Sequence, residues 1–185
     1  CHTRHRASVE FARQPRTCGS CHMGPDHSQL EIYRESKHGV IYSTYKDEFN
    51  MDADPSELTV EDMPAPTCAT CHMSGQGNLS ATHDVTERLS WYLFAPVSDK
   101  RPTYLQGQAA MKEACSNCHT QQHTNEYYED AEAVVRATND KVETFMELAQ
   151  KLRDEGVLSE QPFDEALEFV IFEYWHYYGR TAKHG

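Results

Sequence analysis

Three copies of one pattern, Cys-x-x-Cys-His, constrain this chain more than any other feature of its sequence. They are Cys18-Gly-Ser-Cys21-His22, Cys68-Ala-Thr-Cys71-His72 and Cys115-Ser-Asn-Cys118-His119. This spacing is typical of covalent haem attachment. The two thiols bond to the two vinyl groups of one porphyrin, and the histidine that follows ligates the iron. The sequence therefore predicts three complete haem c sites.

The first two residues repeat the end of the same pattern. Cys1 and His2 are what would remain of a fourth motif cut before its second cysteine, and they predict a fourth, truncated haem site. The chain does not begin with Met, and no charged segment followed by an apolar one marks a signal peptide. We therefore expect an internal fragment of a longer protein, whose compartment the missing signal does not reveal.

Zinc is the main alternative to haem as the group that Cys-x-x-Cys pairs bind. Structural zinc sites usually combine two such pairs, or one pair with two histidines. Zinc does not explain why a histidine directly follows the second cysteine of every pair. The hydrophobic content of 38% is also low for a self-sufficient core, and covalent haem would supply apolar bulk. Both observations favour haem.

Each iron needs a second axial ligand on the opposite face of the porphyrin. The chain contains 11 histidines, more than the eight that four bis-histidine haems require. His38 and His83 are the best candidates because each lies far from its nearest motif, and His5 and His27 follow. Methionine ligation is disfavoured because Met23 and Met73 directly follow their own motif histidines. Each lies too close to its motif to reach the opposite face of the same porphyrin.

The spacing of two other histidine pairs limits what they can do. Residues three or four apart on a helix lie on the same face, so His5 is poorly placed opposite His2, and His123 opposite His119. If either is a ligand, it would serve a neighbouring haem. For three histidines a packing or surface role is as reasonable as ligation: His123, His176 and His184.

The apolar periodicity predicts a mainly α fold, and the haem motifs make it a multihaem cytochrome c. We expect haem-bearing loops and short helices followed by a long C-terminal helical hairpin. Helices are predicted over 26–38, 106–119, 125–155 and 162–183, with a short one beginning near Asp84. Gly39 and Gly156 are predicted to end two of them, and Pro162 to begin the last. The acidic segment 47–62 is predicted to be an exposed loop, and little or no sheet is expected. We divide the chain into a haem-bearing segment, 1–123, and a hairpin of the same domain, 124–185.

Charge and hydropathy exclude two classes of partner. The formal net charge is −12, which disfavours nucleic acid. No apolar run is long enough to span a bilayer. An acidic surface would attract a basic redox partner, or simply keep the protein in solution.

Several longer stretches resemble the hydroxylamine oxidoreductase family, an octahaem cytochrome c family that includes the anammox hydroxylamine and hydrazine oxidoreductases. The resemblance covers nearly the whole chain. It is carried by Cys1-His2-Thr3-Arg4-His5, by Cys21-His22-Met23-Gly24-Pro25-Asp26-His27, by Ser36-Lys37-His38-Gly39, by Thr82-His83-Asp84-Val85, and by the closing residues 179–185.

The resemblance implies an enzyme located in the periplasm or an equivalent compartment, such as the anammoxosome lumen. Such enzymes are trimers of mainly helical subunits that oxidise hydroxylamine or hydrazine at one five-coordinate haem. Their remaining haems are bis-histidine and pass electrons to a cytochrome c. By the same resemblance, four histidines fall at positions that the family keeps as histidine: His5, His27, His38 and His83. The catalytic haem motif would lie before Cys1, and the tyrosine that cross-links to that haem would lie after Gly185.

Three functions stay open at the level of sequence. The first is electron relay within an enzyme that oxidises hydroxylamine or hydrazine. The second is a non-catalytic electron-transfer cytochrome, and the third is a reductive octahaem enzyme that acts on nitrite or a similar nitrogen oxide. In all three, the part of the molecule seen here carries electrons between haems.

Overall fold

The computed structural model describes residues 5–185, so Cys1 and His2 lie outside the described residues. In the first half the helices are short: α1 (Val9–Arg13), α2 (Pro15–Gly19), α3 (Gln29–Glu35), α4 (Lys37–Tyr45) and α5 (Cys68–His72). The second half contains two long helices, α6 (Tyr104–Ser116) and α7 (Gln121–Asp154), and two short ones, α8 (Ala166–Glu173) and α9 (Arg180–His184). A 3-10 turn (Lys46–Glu48) follows α4, and a π-helical segment (Tyr174–Gly179) joins α8 to α9.

The long helix α7 organises the second half. Its buried apolar residues Val135, Val142 and Ala149 recur at intervals of seven, which keeps them on one face of the helix. That face meets the returning segment, since α7 packs against α8, the π-helical segment and α9. Gly156 ends the helix with a φ of +70°, where a glycine avoids the strain that a side chain would impose. The predicted helix 125–155 is therefore confirmed.

The returning helix begins later than predicted. Pro162 lies in a turn, and α8 starts only at Ala166. The Glu168 carboxylate accepts hydrogen bonds from the backbone N–H groups of Asp164 and Glu165, at 3.0 and 3.3 Å. This side chain caps the helix, which starts four residues after Pro162. The expectation that the proline occupies the first turn of the helix was therefore wrong.

The predicted helix 26–38 is two helices, because Ser36 breaks it. The Ser36 hydroxyl donates to the carbonyl of Tyr33 at 2.7 Å and accepts from the backbone N–H of Gly39 at 3.1 Å. It therefore closes α3 and caps α4 at the same residue. Gly39 does not end a helix, contrary to prediction. It lies in the first turn of α4, against the backbone of Tyr33.

The acidic segment 47–62 is not simply an exposed loop. It folds around a small apolar cluster, Phe49, Ala53, Leu58, Met63 and Ala65. The charged side chains point outward while these five residues turn inward, a pattern without a helical or strand period. The prediction of an exposed loop is therefore confirmed for most of the segment, but it missed the three spaced apolar residues that turn inward.

The short helix predicted near Asp84 is also absent. The segment 85–88 is a turn, and Trp91–Tyr92 pairs with Asp99–Lys100 as an antiparallel two-stranded hairpin, β1 and β2. Aromatic residues favour strands once they have a partner, which the sequence did not reveal. This hairpin is the only sheet in residues 5–185, and the mainly α prediction is confirmed.

The two predicted segments contact each other directly. Helix α6 packs on α7, and α3 packs on α9. Ser28 and Thr181 form a hydrogen bond of 3.1 Å between their hydroxyls. The division at residue 123 stays a prediction. Within residues 5–185, no helix combines the length and the apolar character needed to cross a membrane.

Candidate haem-binding site

Each Cys-x-x-Cys-His motif forms one helical turn. In the first and third motifs, the backbone N–H of the histidine donates to the carbonyl of the first cysteine, His22 to Cys18 at 3.0 Å and His119 to Cys115 at 2.9 Å. The second motif is helix α5 itself, from Cys68 to His72. A single turn brings the two thiols and the imidazole of each motif close together, as attachment to one porphyrin requires.

The second motif is held in place by the threonines around it. The backbone N–H of Thr67 donates to the Thr70 hydroxyl at 3.0 Å, and the two hydroxyls lie 3.1 Å apart. Both residues are buried. This reciprocal cap fixes where α5 begins and therefore where Cys68 lies.

The fold brings the three motifs side by side. Helix α5 contacts both α2 and α6 and so lies between the first and third motifs. The thiol of Cys18 lies next to that of Cys68, and this neighbour lowers the pKa of Cys18 to about 7. Burial raises the pKa of the Cys71 thiol to about 12, with a further contribution from Cys115. Within residues 5–185, none of the six cysteines is joined in a disulfide.

His38 lies opposite the histidine of the third motif. The ring centroids of His38 and His119 are 6.0 Å apart. Two imidazoles that share one metal ion place their centroids about 6 Å apart, because each metal–nitrogen bond is about 2 Å long. His123 has a different relation to His119: the two rings are stacked with centroids 4.7 Å apart. That distance is too short for a metal ion between them, as the helical spacing predicted.

His27 lies near the histidine of the first motif. The centroids of His22 and His27 are 6.5 Å apart, with the ring planes at 71°. The Asp26 carboxylate lies 2.8 Å from Nδ1 of His27. A carboxylate at Nδ1 fixes the tautomer and leaves Nε2 for a metal, which is a common arrangement for ligating histidines.

His184, whose role the sequence left open, joins the same group. Phe94 contacts both His27 and His184, with centroid distances of 5.2 and 6.2 Å. Burial lowers the pKa of His184 to about 4, and His27 contributes further. Its Nδ1 is buried without a hydrogen-bond partner. His184 is therefore neutral, the form in which imidazole binds metals.

His176 is placed for packing. Its Nε2 lies 2.9 Å from the Arg180 guanidinium, and its ring stacks on Phe172 at a centroid distance of 4.4 Å. Burial lowers its pKa, as does the neighbouring Arg180. Because the guanidinium occupies Nε2, the structure favours the packing role that the sequence left open for this residue.

Burial also favours the neutral form of two other candidate ligands. The pKa of His72 is lowered by burial first, and then by the positive charge of Arg88. The pKa of His38 is lowered by partial burial and by the nearby His119. Both shifts favour the unprotonated imidazole that iron requires.

Two predicted distal ligands are not brought to a described motif. His5 and His83 are exposed, and neither ring contacts a motif histidine within residues 5–185. The structure also brings Tyr33 and Tyr128 close to the cysteines of the motifs. Sequence reasoning missed Tyr33 as a site residue, and it interpreted Tyr128 only as one of several aromatic core or haem-packing residues. Burial raises the pKa of both phenols well above the usual range, with contributions from Cys68 for Tyr33 and Cys115 for Tyr128. Neither tyrosine carries a sequence signal, because each reaches the site only through the tertiary fold.

The residues at the three motifs have the chemistry that covalent haem attachment needs. The thiols come in pairs on single turns, neutral imidazoles lie next to them, and His38 lies at the axial distance from His119. Among the described residues, the three-residue group that could hold a bare metal ion contains Asp164, Glu165 and Glu168 and no cysteine or histidine. The donor set at the motifs fits haem c.

Residues 1–165 match the family described as "Seven times multi-haem cytochrome CxxCH". The chain belongs to this multihaem cytochrome family. Its cysteine motifs are therefore c-type haem motifs, and the electron-relay function expected from them is supported. How many haems the chain carries, and which histidines ligate them, stay predictions.

Relatives extend the comparison. A probable nitrite reductase-hydroxylamine oxidoreductase fusion protein of Kuenenia stuttgartiensis is 51% identical over 72 residues, which are 38% of this chain and 8% of that protein. A solved hypothetical multiheme protein matches the whole chain with a TM-score of 0.88 and 24% identity, over 52% of its own length. A chain of the Kuenenia stuttgartiensis reducing HAO-like protein complex matches 92% of this chain with a TM-score of 0.73 and 25% identity, over 39% of its length.

The predicted resemblance to hydroxylamine oxidoreductase is confirmed by these relatives. The chain spans about half or less of each of these relatives, and only 8% of the fusion protein.

Proposed function

We propose that this chain relays electrons through bis-histidine haems within a hydroxylamine oxidoreductase-like enzyme that oxidises hydroxylamine or hydrazine. The observation that carries the proposal is the side-by-side arrangement of three motifs around α5. Bound haem c supplies one-electron exchange between ferric and ferrous iron. Motifs in direct contact hold successive centres close together, which a relay requires.

Different residues of the chain hold the porphyrins and ligate the irons in this proposal. Three pairs of cysteines hold the porphyrins: Cys18 with Cys21, Cys68 with Cys71, and Cys115 with Cys118. His22, His72 and His119 are the proximal ligands. We assign His38 as the distal ligand opposite His119 and His27 as a further distal ligand. His5 and His83, whose rings contact none of the three described motif histidines, would be distal ligands of other haems. Cys1 and His2 would belong to a fourth haem. Histidines on both sides of each porphyrin would leave no open position for substrate, so these residues would hold the haems for electron exchange only.

The proposal extends to location and partners. We place the enzyme in the periplasm or an equivalent compartment such as the anammoxosome lumen, and we infer that a cytochrome c accepts its electrons. A basic acceptor would be attracted by the net charge of −12. We further infer a homotrimer, which the resemblance to the family supports.

A second candidate is a reductive enzyme of the same architecture. It is favoured by one solved relative whose title describes a reducing HAO-like complex, and by a curated relative whose name includes nitrite reductase. The relay residues would be the same, but electrons would flow toward the substrate. The chain's own geometry does not prefer one direction.

Rapid mixing of the full-length ferric protein separates the two candidates. Hydroxylamine or hydrazine should reduce the haems, seen as the sharpening of the α band in the visible spectrum. Nitrite should oxidise the prereduced protein only if the reductive candidate is right. If the haems stay ferric with both hydroxylamine and hydrazine, the oxidative proposal is wrong.

The ligand assignment has a separate test. Replacing His38 by Ala should open one coordination position and produce a high-spin ferric signal in the electron paramagnetic resonance spectrum. His123→Ala is the matched control, because His123 also contacts His119 but at a stacking distance. A fully low-spin spectrum for His38→Ala would remove His38 as a ligand.

A further inference from the structure

The loop between β1 and β2, residues 93–98, is fastened to two distant helices by side-chain hydrogen bonds. Lys183 of α9 donates to two carbonyls of the loop, at 3.2 and 3.1 Å, and to the Ser98 hydroxyl at 2.7 Å. Asn139 of α7 accepts from the backbone N–H of Ser98 at 2.8 Å and donates to its carbonyl at 2.7 Å. A two-stranded hairpin is marginally stable alone, so these bonds fix where the loop lies.

The Lys183 ammonium group is buried without a counter-ion. The residue is 6% exposed, and burial followed by the positive charge of Arg180 lowers its pKa to about 8. No carboxylate in residues 5–185 offsets these two effects. A buried charge without an ionic partner costs free energy of folding. The fold therefore keeps the loop in this position although the buried charge lowers its stability.

Arg180 holds the first part of the same loop. It is 9% exposed, and its Nε and Nη2 both donate to the carbonyl of Phe94, at 3.1 and 2.7 Å. Its guanidinium also lies over the Phe94 ring, with Cζ 5.3 Å from the ring centroid. The third nitrogen, Nη1, lies 3.8 Å from the Asp26 carboxylate. One guanidinium therefore holds both Phe94 and Asp26.

Phe94 and Asp26 contact the proposed distal ligand His27 at different places. The Asp26 carboxylate lies 2.8 Å from Nδ1 of His27. The Phe94 ring packs against the imidazole, with 5.2 Å between the centroids and 43° between the planes. A hydrogen bond at Nδ1 fixes one atom of the ring but lets the plane turn about that bond. A second ring packed against the imidazole restricts this rotation.

Both contacts leave His27 free to ligate iron. Phe94 is 48% exposed, so one side of its ring stays uncovered beside the imidazole. With Asp26 at Nδ1, His27 keeps Nε2 for a metal. Neither contact has to break when His27 binds a haem.

We propose that Phe94 is a positioning residue that fixes the plane of the His27 imidazole at the haem iron, and that Arg180 holds Phe94 and Asp26 in place around it. This inference rests on the proposed function, in which His27 is a distal haem ligand. Outer-shell groups orient a ligating imidazole, and the angle between the two ligand planes sets the g values of a low-spin ferric haem. The contact with Phe94 should therefore be visible in the spectrum of one haem.

The experiment is electron paramagnetic resonance of the full-length, haem-loaded ferric protein. Phe94→Leu keeps an apolar side chain but lacks the flat ring, and it should shift the g values of a low-spin signal that integrates to one haem per chain. Phe94→Tyr keeps the ring and should retain the wild-type signal, because its hydroxyl can point to solvent. Tyr92→Leu is the matched control. Tyr92 is 45% exposed on the same hairpin, but its ring contacts Arg101, so no g value should shift.

Three outcomes would overturn the inference: an unchanged spectrum in Phe94→Leu, the same shift in Phe94→Tyr, or the same shift in the Tyr92→Leu control. Arg180→Lys keeps the charge but cannot donate twice to the Phe94 carbonyl while facing Asp26, so it should shift the same signal as Phe94→Leu. An unchanged signal would overturn the part assigned to Arg180. If Arg180→Lys does not fold, the variants of the half-exposed Phe94 decide.

His27→Ala separates this inference from the proposed function. It should produce a high-spin ferric signal, and adding Phe94→Leu should then shift no further low-spin signal, because the ligand through which Phe94 acts is gone. A further shift in the double variant would overturn the inference. A wholly low-spin spectrum in His27→Ala would overturn the ligand assignment and the inference together. A high-spin signal in His27→Ala with an unchanged spectrum in Phe94→Leu would overturn the inference alone.

Discussion

Replacing Gly39 by Ala tests the link between the fold and the candidate ligand His38. A Cβ at this position would lie 1.9 Å from the carbonyl oxygen of Tyr33 and 2.9 Å from the Cα of Arg34. Ordinary contacts between carbon and oxygen are about 3.3 Å or longer, so the two backbones must separate by about 1.4 Å. Both obstacles are backbone atoms, which no side-chain rotation can remove.

The cost can be worked from three contributions. Overpacking against rigid backbone costs about 1–3 kcal/mol. Moving the carbonyl of Tyr33 also disturbs the Ser36 cap, which bonds to both Tyr33 and Gly39, and losing such a cap costs about 1 kcal/mol. Alanine recovers about 1 kcal/mol through its better helix propensity. The free energy of unfolding should therefore fall by about 2 kcal/mol.

Denaturant unfolding of the haem-loaded protein, followed by far-ultraviolet circular dichroism, measures this loss. Val40→Ala is the control, because Val40 is the next residue along the same helix but is exposed, and its change should stay within about 0.5 kcal/mol. Since the displaced turn carries His38, a high-spin ferric signal should also increase in Gly39→Ala. If Gly39→Ala unfolds at the wild-type denaturant concentration with a wild-type spectrum, the close approach of α3 and α4 is refuted.

Three further predictions concern stability. Val142 is 1% exposed on the buried face of α7, so Val142→Ala should leave a cavity and lower the free energy of unfolding by about 2 kcal/mol; an unchanged thermal midpoint would contradict this. Thr70→Val removes the acceptor of the buried Thr67 N–H, so the free energy of unfolding should fall by about 1–3 kcal/mol in a denaturant titration. An unchanged free energy of unfolding would mean that water replaces the hydroxyl. A hydrogen bond from Thr59 is the chief reason that the pKa of Asp62 is lower in the folded protein than in the unfolded chain. Ionised Asp62 therefore stabilises the fold at pH values above its unfolded pKa. This stabilisation is lost as the pH falls through its lower folded pKa. In Asp62→Asn, the thermal midpoint should therefore fall less steeply with decreasing pH below about pH 4. If the thermal midpoint of the variant depends on pH in this range as that of the wild type does, this role of Asp62 is refuted.

The regular elements followed largely from local patterns. The seven-residue spacing of Val135, Val142 and Ala149 predicts the long helix, because one apolar face suffices to define it. Errors arose where a side chain or a partner overrides a local rule. Ser36 splits a helix with its hydroxyl, and Glu168 starts another beyond the proline. Trp91 enters a strand only because Lys100 pairs with it.

The sequence by itself determined the chemistry of the site, because a motif that spans one helical turn needs no tertiary contact to bring its thiols and its imidazole together. It therefore predicted the haem-attachment cysteines and the proximal histidines, and it led to the family resemblance that the relatives confirm. Only the tertiary structure decided what lies around each motif. The approach of His38 to His119, of His27 to His22, and of Arg88 to Cys71 each joins residues that no local period relates. These contacts depend on how the loops between the motifs fold, and the spacing of the Cys-x-x-Cys-His motifs carries no information about that.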